Sequence, residues 1–244
     1  MKFNGFNPSD ISPKIFVSHE VIGSIPPREL RTLQTQHGAL IAGADLRERE
    51  IHLFLNFAGR SHANANEMAS RVASIFCTDE PKEYEPGHMP GRAFSAILRD
   101  ATDMEWRWGF GVVEYTFIAP HPFSHSVAET VVTTTGNNIR IEPRGDVPVR
   151  PVIRHTMAAA ADMLTFSIDD VQFFRLRDPS GSQLPAGLVT TIDFANRKVT
   201  INSDTMMTYV DYTVSDWHPL LLGGVNIVCS DAGSTEARWR DEWM

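Results

Sequence analysis

The sequence predicts a mainly β protein with one α-helix, and three stretches carry that prediction. Residues 190–202 form two alternating runs about a turn centred on Asn196-Arg197. That turn sets Phe194 opposite Val199 and Ile192 opposite Ile201 on one face, with Asp193 and Thr200 on the other. Residues 237–244 alternate again, with Trp239, Asp241 and Trp243 against Arg238, Arg240 and Glu242. Chain ends fray unless tied down, so an end carrying two tryptophans is read as a strand within a sheet. In contrast, residues 63–77 repeat with the period of a helix.

Taken in order, residues 1–48 are punctuated by Pro8, Pro13, Pro26 and Pro27. They read as irregular chain with short extended pieces at Phe3, Phe6, Ile15, Phe16, Val17 and Ile22. Glu50–Phe57 alternates, placing Ile51, Leu53, Leu55 and Phe57 on one face of a strand. In the helix, the apolar positions are Ala65, Met68, Ala69, Val72, Ile75 and Phe76. Asn64 with Glu67 reads as its capping box, Glu67 with Arg71 as an i,i+4 pair, and Pro81 prevents continuation. A single amphipathic helix is expected to cover one face of a sheet. Asp79–Gly91, with three prolines and two glycines, reads as an exposed loop. Strands are expected at Arg92–Arg99 and Val112–Ile118, joined by a long connection over Asp100–Phe110.

Ala119-Pro-His-Pro-Phe-Ser-His125 breaks the strand pattern. The domain boundary is placed there, giving domains 1–125 and 126–244. The second domain reads as all β. Besides the hairpin and the terminal strand, runs occur at Val131–Thr134, Asn138–Glu142, Leu164–Ile168, Gln172–Leu176, Thr208–Tyr212 and Asn226–Cys229. Many short strands between turn signals suggest a sandwich or jelly roll.

Composition excludes several functional classes. A chain of 244 residues, 42% hydrophobic, can bury a real core. No apolar run is long enough to span a membrane, and Met1–Phe6 has no signal-peptide core, so synthesis in a cytosol is expected. Cys77 and Cys229 have no spaced partners, which rules out a disulfide framework or cysteine zinc site and suggests buried free thiols. Net charge is −8, and neither half is basic. Gripping nucleic acid needs cations, so this chain is not expected to hold it; an acidic surface suits a protein that nucleic acid passes without sticking.

No motif nominates an active site. His121 and His125 have helical ligand spacing, but Pro120 and Pro122 make that segment extended. Asp169-Asp170 reads as a solvated turn, because neighbours on an extended chain point apart. Gly109-Phe-Gly111 precedes a strand, so it is a turn and no nucleotide loop. Catalytic, cofactor and metal residues are therefore expected to be none. Trp106, Trp108 and Phe110 lie in the long connection and are the candidate oligomer contacts, since exposed aromatics favour interfaces.

In the order of its elements the chain resembles the distal tail proteins (Dit) of siphophages infecting Gram-positive bacteria. In the first half, the strand at 51–57, the helix, an acidic loop, Gly91–Leu98 and the ending Glu114–Ser124 follow the family's order. In the second half the marks are Ile192-Asp193 with Ile201-Asn202, Trp217-His-Pro-Leu220, Gly224-Val-Asn226 and Arg238–Trp243. Leu222-Gly223 departs from the family's frequent Pro-Gly, and Met244 from its final Leu. There is no room for an inserted carbohydrate-binding module.

The resemblance implies an N-terminal β-sandwich with one helix and an extended hairpin, forming a ring domain, plus a C-terminal galectin-like β-sandwich. It implies a homo-hexamer at the distal end of a phage tail, made in the host bacterial cytoplasm. That ring would join the tail tube protein to the tail-tip protein, support receptor-binding proteins, and let genomic DNA pass without specific binding. Residues 1–50 and Asp100–Phe110 are the expected contact arms. The alternatives are a monomeric carbohydrate-binding β-sandwich that uses exposed tryptophans, and a cell-wall hydrolase, which no motif supports.

Overall fold

Apolar residues at every second position along Arg49–Phe57 fold as the alternation requires. In a computed structural model, Ile51, Leu53, Leu55 and Phe57 all point inward and are fully buried. The structure describes residues 1–35, 38–107, 110–217 and 221–244, with backbone alone at 33–35, 38–42 and 107. The chain divides into two units, Met1–Val127 with Met244, and Ala128–Trp243.

The first unit runs β1 (Lys2–Phe3), β2 (Ile15–Ile22), β3 (Arg28–Thr35), β4 (Gly38–Leu46), β5 (Arg49–Phe57), α1 (His62–Phe76), β6 (Lys82–Glu85), β7 (Arg92–Ala101), β8 (Glu105–Arg107), β9 (Phe110–Ala119) and β10 (Ser124–Ser126). The main sheet has the order β1-β6-β7-β9-β5-β2, with β8 added on β9 and β10 on β7. β7 changes partner along its length: Phe94–Ala96 pairs with β6, and Ile97–Ala101 with β9. Helix α1 sets Ala65, Met68, Val72 and Phe76 into the core. Phe76 meets Phe3, Tyr115 and Phe117 edge-on, an arrangement the ring quadrupoles favour.

Several local expectations are corrected here. The helix is capped by Ser61, whose hydroxyl accepts from Asn64 N at 3.3 Å, so Asn64 is already inside the first turn. The pairing of Glu67 with Arg71 is present at 2.6 Å on the exposed side. The stretch 1–48 is largely strand: its prolines fall between strands, leaving Ile15–Ile22 free to pair with β5 and β3 free to pair with β4. Within the supposed loop 79–91, β6 pairs with β7 and buries Tyr84 completely, its hydroxyl donating to Glu20 Oε1 at 2.7 Å. Cys77 is exposed and only Cys229 is buried.

The second unit contains β11 (Thr130–Thr135), β12 (Asn138–Ile141), β13 (Val152–Thr156), β14 (Met163–Ile168), β15 (Val171–Arg177), β16 (Val189–Asp193), β17 (Lys198–Ile201), β18 (Asp204–Thr205), β19 (Val225–Cys229), β20 (Ser234–Trp239) and β21 (Glu242–Trp243). Two sheets, β11-β20-β13-β16-β17-β18 and β12-β19-β14-β15, enclose one apolar core. Each inner face supplies alternate residues: Ile153, Ile192, Val199 and Ala237 from one, Ile139, Leu164, Phe166, Phe174 and Ile227 from the other. This is a β-sandwich. Asp169 and Asp170, both at positive φ, make the two-residue turn between β14 and β15.

The hairpin of residues 189–201 keeps its predicted faces but not its predicted register. Ile192 pairs with Val199 and Asp193 with Lys198, a shift of two residues. The loop is longer because Asp193 closes it, accepting from Asn196 N at 2.9 Å and Nδ2 at 2.8 Å, while Arg197 takes positive φ. A shift by two preserves side-chain facing, so Ile192, Phe194, Val199 and Ile201 are all buried.

The terminal stretch is two strands, not one. Asp241 turns inward between them, where it accepts from Trp239 Nε1 at 3.1 Å and Arg144 N at 3.0 Å. Trp239 is core, whereas Trp243 is half-buried. Residues 207–209 form a 3-10 turn in place of the expected strand, and β13 was not anticipated.

Candidate functional site

The candidate contact residues fall at one end of the first unit. β8 pairs with β9 so that Trp106 opposes Gly111 and Arg107 opposes Phe110. Opposed residues share a face and neighbours alternate, so Trp106 and Phe110 lie on opposite faces. Trp106 is 40% exposed and tilts against His62 of α1 at 5.7 Å. Phe110 is 38% exposed and meets Phe16, itself exposed, edge-on at 5.8 Å. Trp108 lies outside the described residues. The two described residues therefore form two small aromatic pairs rather than one patch.

The expected long connection is also short. Asp100 and Ala101 belong to β7, Glu105–Arg107 to β8, and only Thr102–Met104 link them. Thr102 is pinned to β9, its hydroxyl accepting from Glu114 N at 3.1 Å and its own N donating to Glu114 O at 2.9 Å. Pairing with β9 removed the irregularity that a linear reading assigned to this segment.

The other expected contact arm lies within the first fifty residues. β3 and β4 form a two-stranded sheet that no other strand joins among the described residues. Such a ribbon is at best marginally stable in water without something packed on it. Leu30 and Leu46 are exposed on it. Two ion pairs bind its strands together: Arg47 Nη2 lies 2.6 Å from Glu29 and Arg31 Nη2 2.5 Å from Asp45. Bare leucines beside them suit burial against another surface.

A cleft of about 490 Å³ lies on the sheet face away from α1, lined by Ser18, His19, Phe54, Asn56, Thr102, Asp103, Glu105, Val112 and Glu114. His19 stacks on Phe54 at 4.0 Å, and Glu114 holds His52 at 2.8 Å. Its three carboxylates give it an acidic lining.

A Cys-His-Asp grouping inside the second unit invites a nucleophilic reading, and its geometry refuses it. His155 Nε2 is 3.1 Å from Asp231 Oδ2 and 3.7 Å from Cys229 Sγ; Nδ1 is 2.9 Å from Thr235 Oγ1. Burial lowers the His155 pKa against the opposing pull of Asp231. For Asp231, burial pushes its carboxyl up, but the hydrogen bonds from Ala158, His155, Ala159 and Gly233 outweigh it and hold the group below its usual range. A neutral imidazole beside an ionised carboxylate donates from Nε2, leaving Nδ1 to accept from Thr235. Nε2 then has no lone pair to take the thiol proton. Burial also raises the Cys229 pKa to about 11. The cluster is a satisfied polar core, absent from the sequence reading because His155 lies 74 to 80 residues from its partners. Among the described residues no group of three or more His, Cys, Asp or Glu side chains converges as metal ligands would, and no helix is long and apolar enough to cross a membrane.

The described fold is thus two β-rich units, the first with exposed aromatics and a two-stranded ribbon that no other described strand joins. Residues 144–243 match the model of the siphovirus-type tail component, C-terminal domain. Over 100% of this chain and 98% of its own, the Dit protein (gp 19.1) of SPP1 is similar in structure, with a TM-score of 0.82 at 15% identity. A chain of the phage P2 baseplate in its activated conformation with Ca is similar over 95% of this chain and 91% of its own, at 10% identity; with a TM-score of 0.45 it supports no conclusion. Among curated protein sequences no match is found. The family match covers residues 144–243, and over its whole length the chain has the fold of SPP1 Dit.

Proposed function

We propose that this chain is the hub at the distal end of a siphophage tail. Six copies close into a ring by a repeated head-to-tail contact. The ring joins the tail tube to the tail-tip protein, carries receptor-binding proteins outside, and passes genomic DNA through its lumen. The observation that carries this reading is the full-length structural likeness to SPP1 Dit, described as a paradigm of hub adsorption apparatus in phages infecting Gram-positive bacteria. The ribbon β3–β4 and the aromatic pairs of Trp106 and Phe110 are the proposed contacts. A net charge of −8 suits a lumen that must not retard phosphate. The protein is a structural component and not an enzyme in this reading.

Light scattering with negative-stain imaging tests it. The expected particle is a six-fold ring of six 27.3 kDa chains. A monomer that stays monomeric when mixed with tail tube and tail-tip proteins overturns the proposal.

A further inference from the structure

The sequence contains a single Asn-Gly pair, Asn4-Gly5, and the fold sets it in a two-residue turn directly after β1. Phe3 N donates to Phe6 O at 2.8 Å and Phe6 N to Phe3 O at 2.9 Å. Asn4 has φ of 52° and Gly5 of 76°, the two positive values that mark a type I′ turn. Both residues are exposed, and nothing lies within 4 Å of where a Gly5 Cβ would stand. Among the described residues the Gly5 amide donates no hydrogen bond. An amide nitrogen that follows asparagine can attack the side-chain carbonyl, and glycine, lacking Cβ, hinders that approach least.

The closed turn holds the reacting atoms apart. A type I′ turn requires positive ψ at its first central residue, which puts Gly5 N on the far side of the Asn4 Cα–C bond from Cβ. Attack therefore needs rotation about that bond, and the rotation breaks the Phe3–Phe6 hydrogen bonds. Further ties resist it. Asn4 N donates to Glu83 O at 2.7 Å, and β1 pairs with β6, Lys2 opposite Glu85 and Phe3 opposite Tyr84. The Phe3 ring is fully buried against Phe76 and Phe117. Asn4 is exposed to solvent but latched by its neighbours.

We propose that Asn4 is a deamidation site gated by the opening of β1, and that the reaction releases this strand irreversibly. In the open turn Gly5 N bonds to Asn4 Cγ and gives up its proton to water. The Cγ–Nδ2 bond breaks and ammonia leaves. Water then opens the succinimide at either carbonyl, so that an amide and one water become a carboxylic acid and ammonia, with no change of oxidation state. Opening at the main-chain carbonyl leaves isoaspartate, whose main chain runs through Cβ and Cγ and is one atom longer. A two-residue turn cannot absorb that atom and keep both Phe3–Phe6 hydrogen bonds, so the register of Phe3 opposite Tyr84 is lost.

The test incubates the full chain at mildly alkaline pH and follows it by peptide mapping and amide hydrogen exchange. The tryptic peptide Phe3–Lys14 reports the product, and its Asn7 is an internal control because Pro8 has no amide proton. Conversion is expected first at Asn4. It should be slower than in the same synthetic peptide by the factor that protects Phe6 N–H from exchange, since both need the same opening. Phe3→Leu should speed conversion and exchange together, several-fold. The isoaspartate fraction should lose Phe6 protection, whereas Asn4→Asp, with the charge but no added atom, should keep it. Conversion as fast as in the free peptide, or faster than exchange allows, overturns the proposal. So does an isoaspartate chain with Phe6 still protected, or no conversion once incubation exceeds the peptide's conversion time multiplied by the measured protection. None of these outcomes depends on whether the chain closes into a ring.

Discussion

His155 Nε2 donates to Asp231 Oδ2 at 3.1 Å inside the core of the second unit, linking β13 to the turn before β20. Asp231 also accepts from Ala158 N, Ala159 N and Gly233 N, so one carboxylate ties three backbone amides to a buried imidazole.

The pair makes stability depend on acid. The folded state lowers the His155 pKa below its ordinary 6.5 through burial, so the unfolded chain binds the proton more readily. Stability is therefore undiminished above about pH 6.5 and falls as pH drops below it, towards the folded pKa. Asp231, also depressed when folded, adds a loss at lower pH as its carboxylate protonates. Denaturant melts between pH 8 and 5 should show stability falling with acid. In His155→Gln the fall just below pH 6.5 should shrink, although overall stability is lower.

Arg49 occupies a core-facing position at the start of β5 and is 2% exposed. Its Nε and Nη2 have no hydrogen-bond partner among the described residues, and its guanidinium sits 5.3 Å over the Phe94 ring. Burial lowers its pKa, because the charged form loses water there. An aromatic face compensates only part of that loss. Arg49→Met should raise unfolding free energy by about 1–3 kcal/mol; a lower melting temperature would show that Arg49 has a counter-group in solution.

Gly233 is a position where a methyl group has no room. A Cβ there collides with the Thr156 carbonyl and approaches Asp231 Oδ2 to 2.7 Å. Gly233→Ala should cost about 2–4 kcal/mol, since the obstacle is backbone of a paired strand. Gly43→Ala, with nothing within 4 Å, is the control and should leave stability within about 0.5 kcal/mol. Equal melting curves for the two variants would refute the packing argument.

The ribbon prediction separates assembly from folding. Leu30→Asp with Leu46→Asp alters two exposed side chains on β3 and β4. Circular dichroism and melting temperature should hardly change, while ring formation is lost. Deleting 100–110 would not separate assembly from folding, because it removes β8 and the start of β9.

Local pattern revealed much of the fold. Alternation identified β5, β7, β9 and the pairs β14–β15 and β16–β17, because a half-buried strand must place apolar groups at every second position. Helical spacing identified α1 for the same reason. Errors clustered where a partner decides structure. β6 buries Tyr84 within a proline-rich segment, and β8 exists because β9 lies beside it. Trp106 and Phe110 were legible as exposed aromatics, but not their placement on opposite faces.

By itself, then, the chain determined its fold class: strands along most of its length, with one helix. These are properties of local periodicity and composition, which need no knowledge of distant neighbours. Tertiary structure alone decided the hairpin register set by Asp193, the His155–Asp231 link and the ribbon that no other strand joins among the described residues. Each depends on which residues meet across long sequence separations, and whether an edge finds a partner is settled only when every strand has been placed.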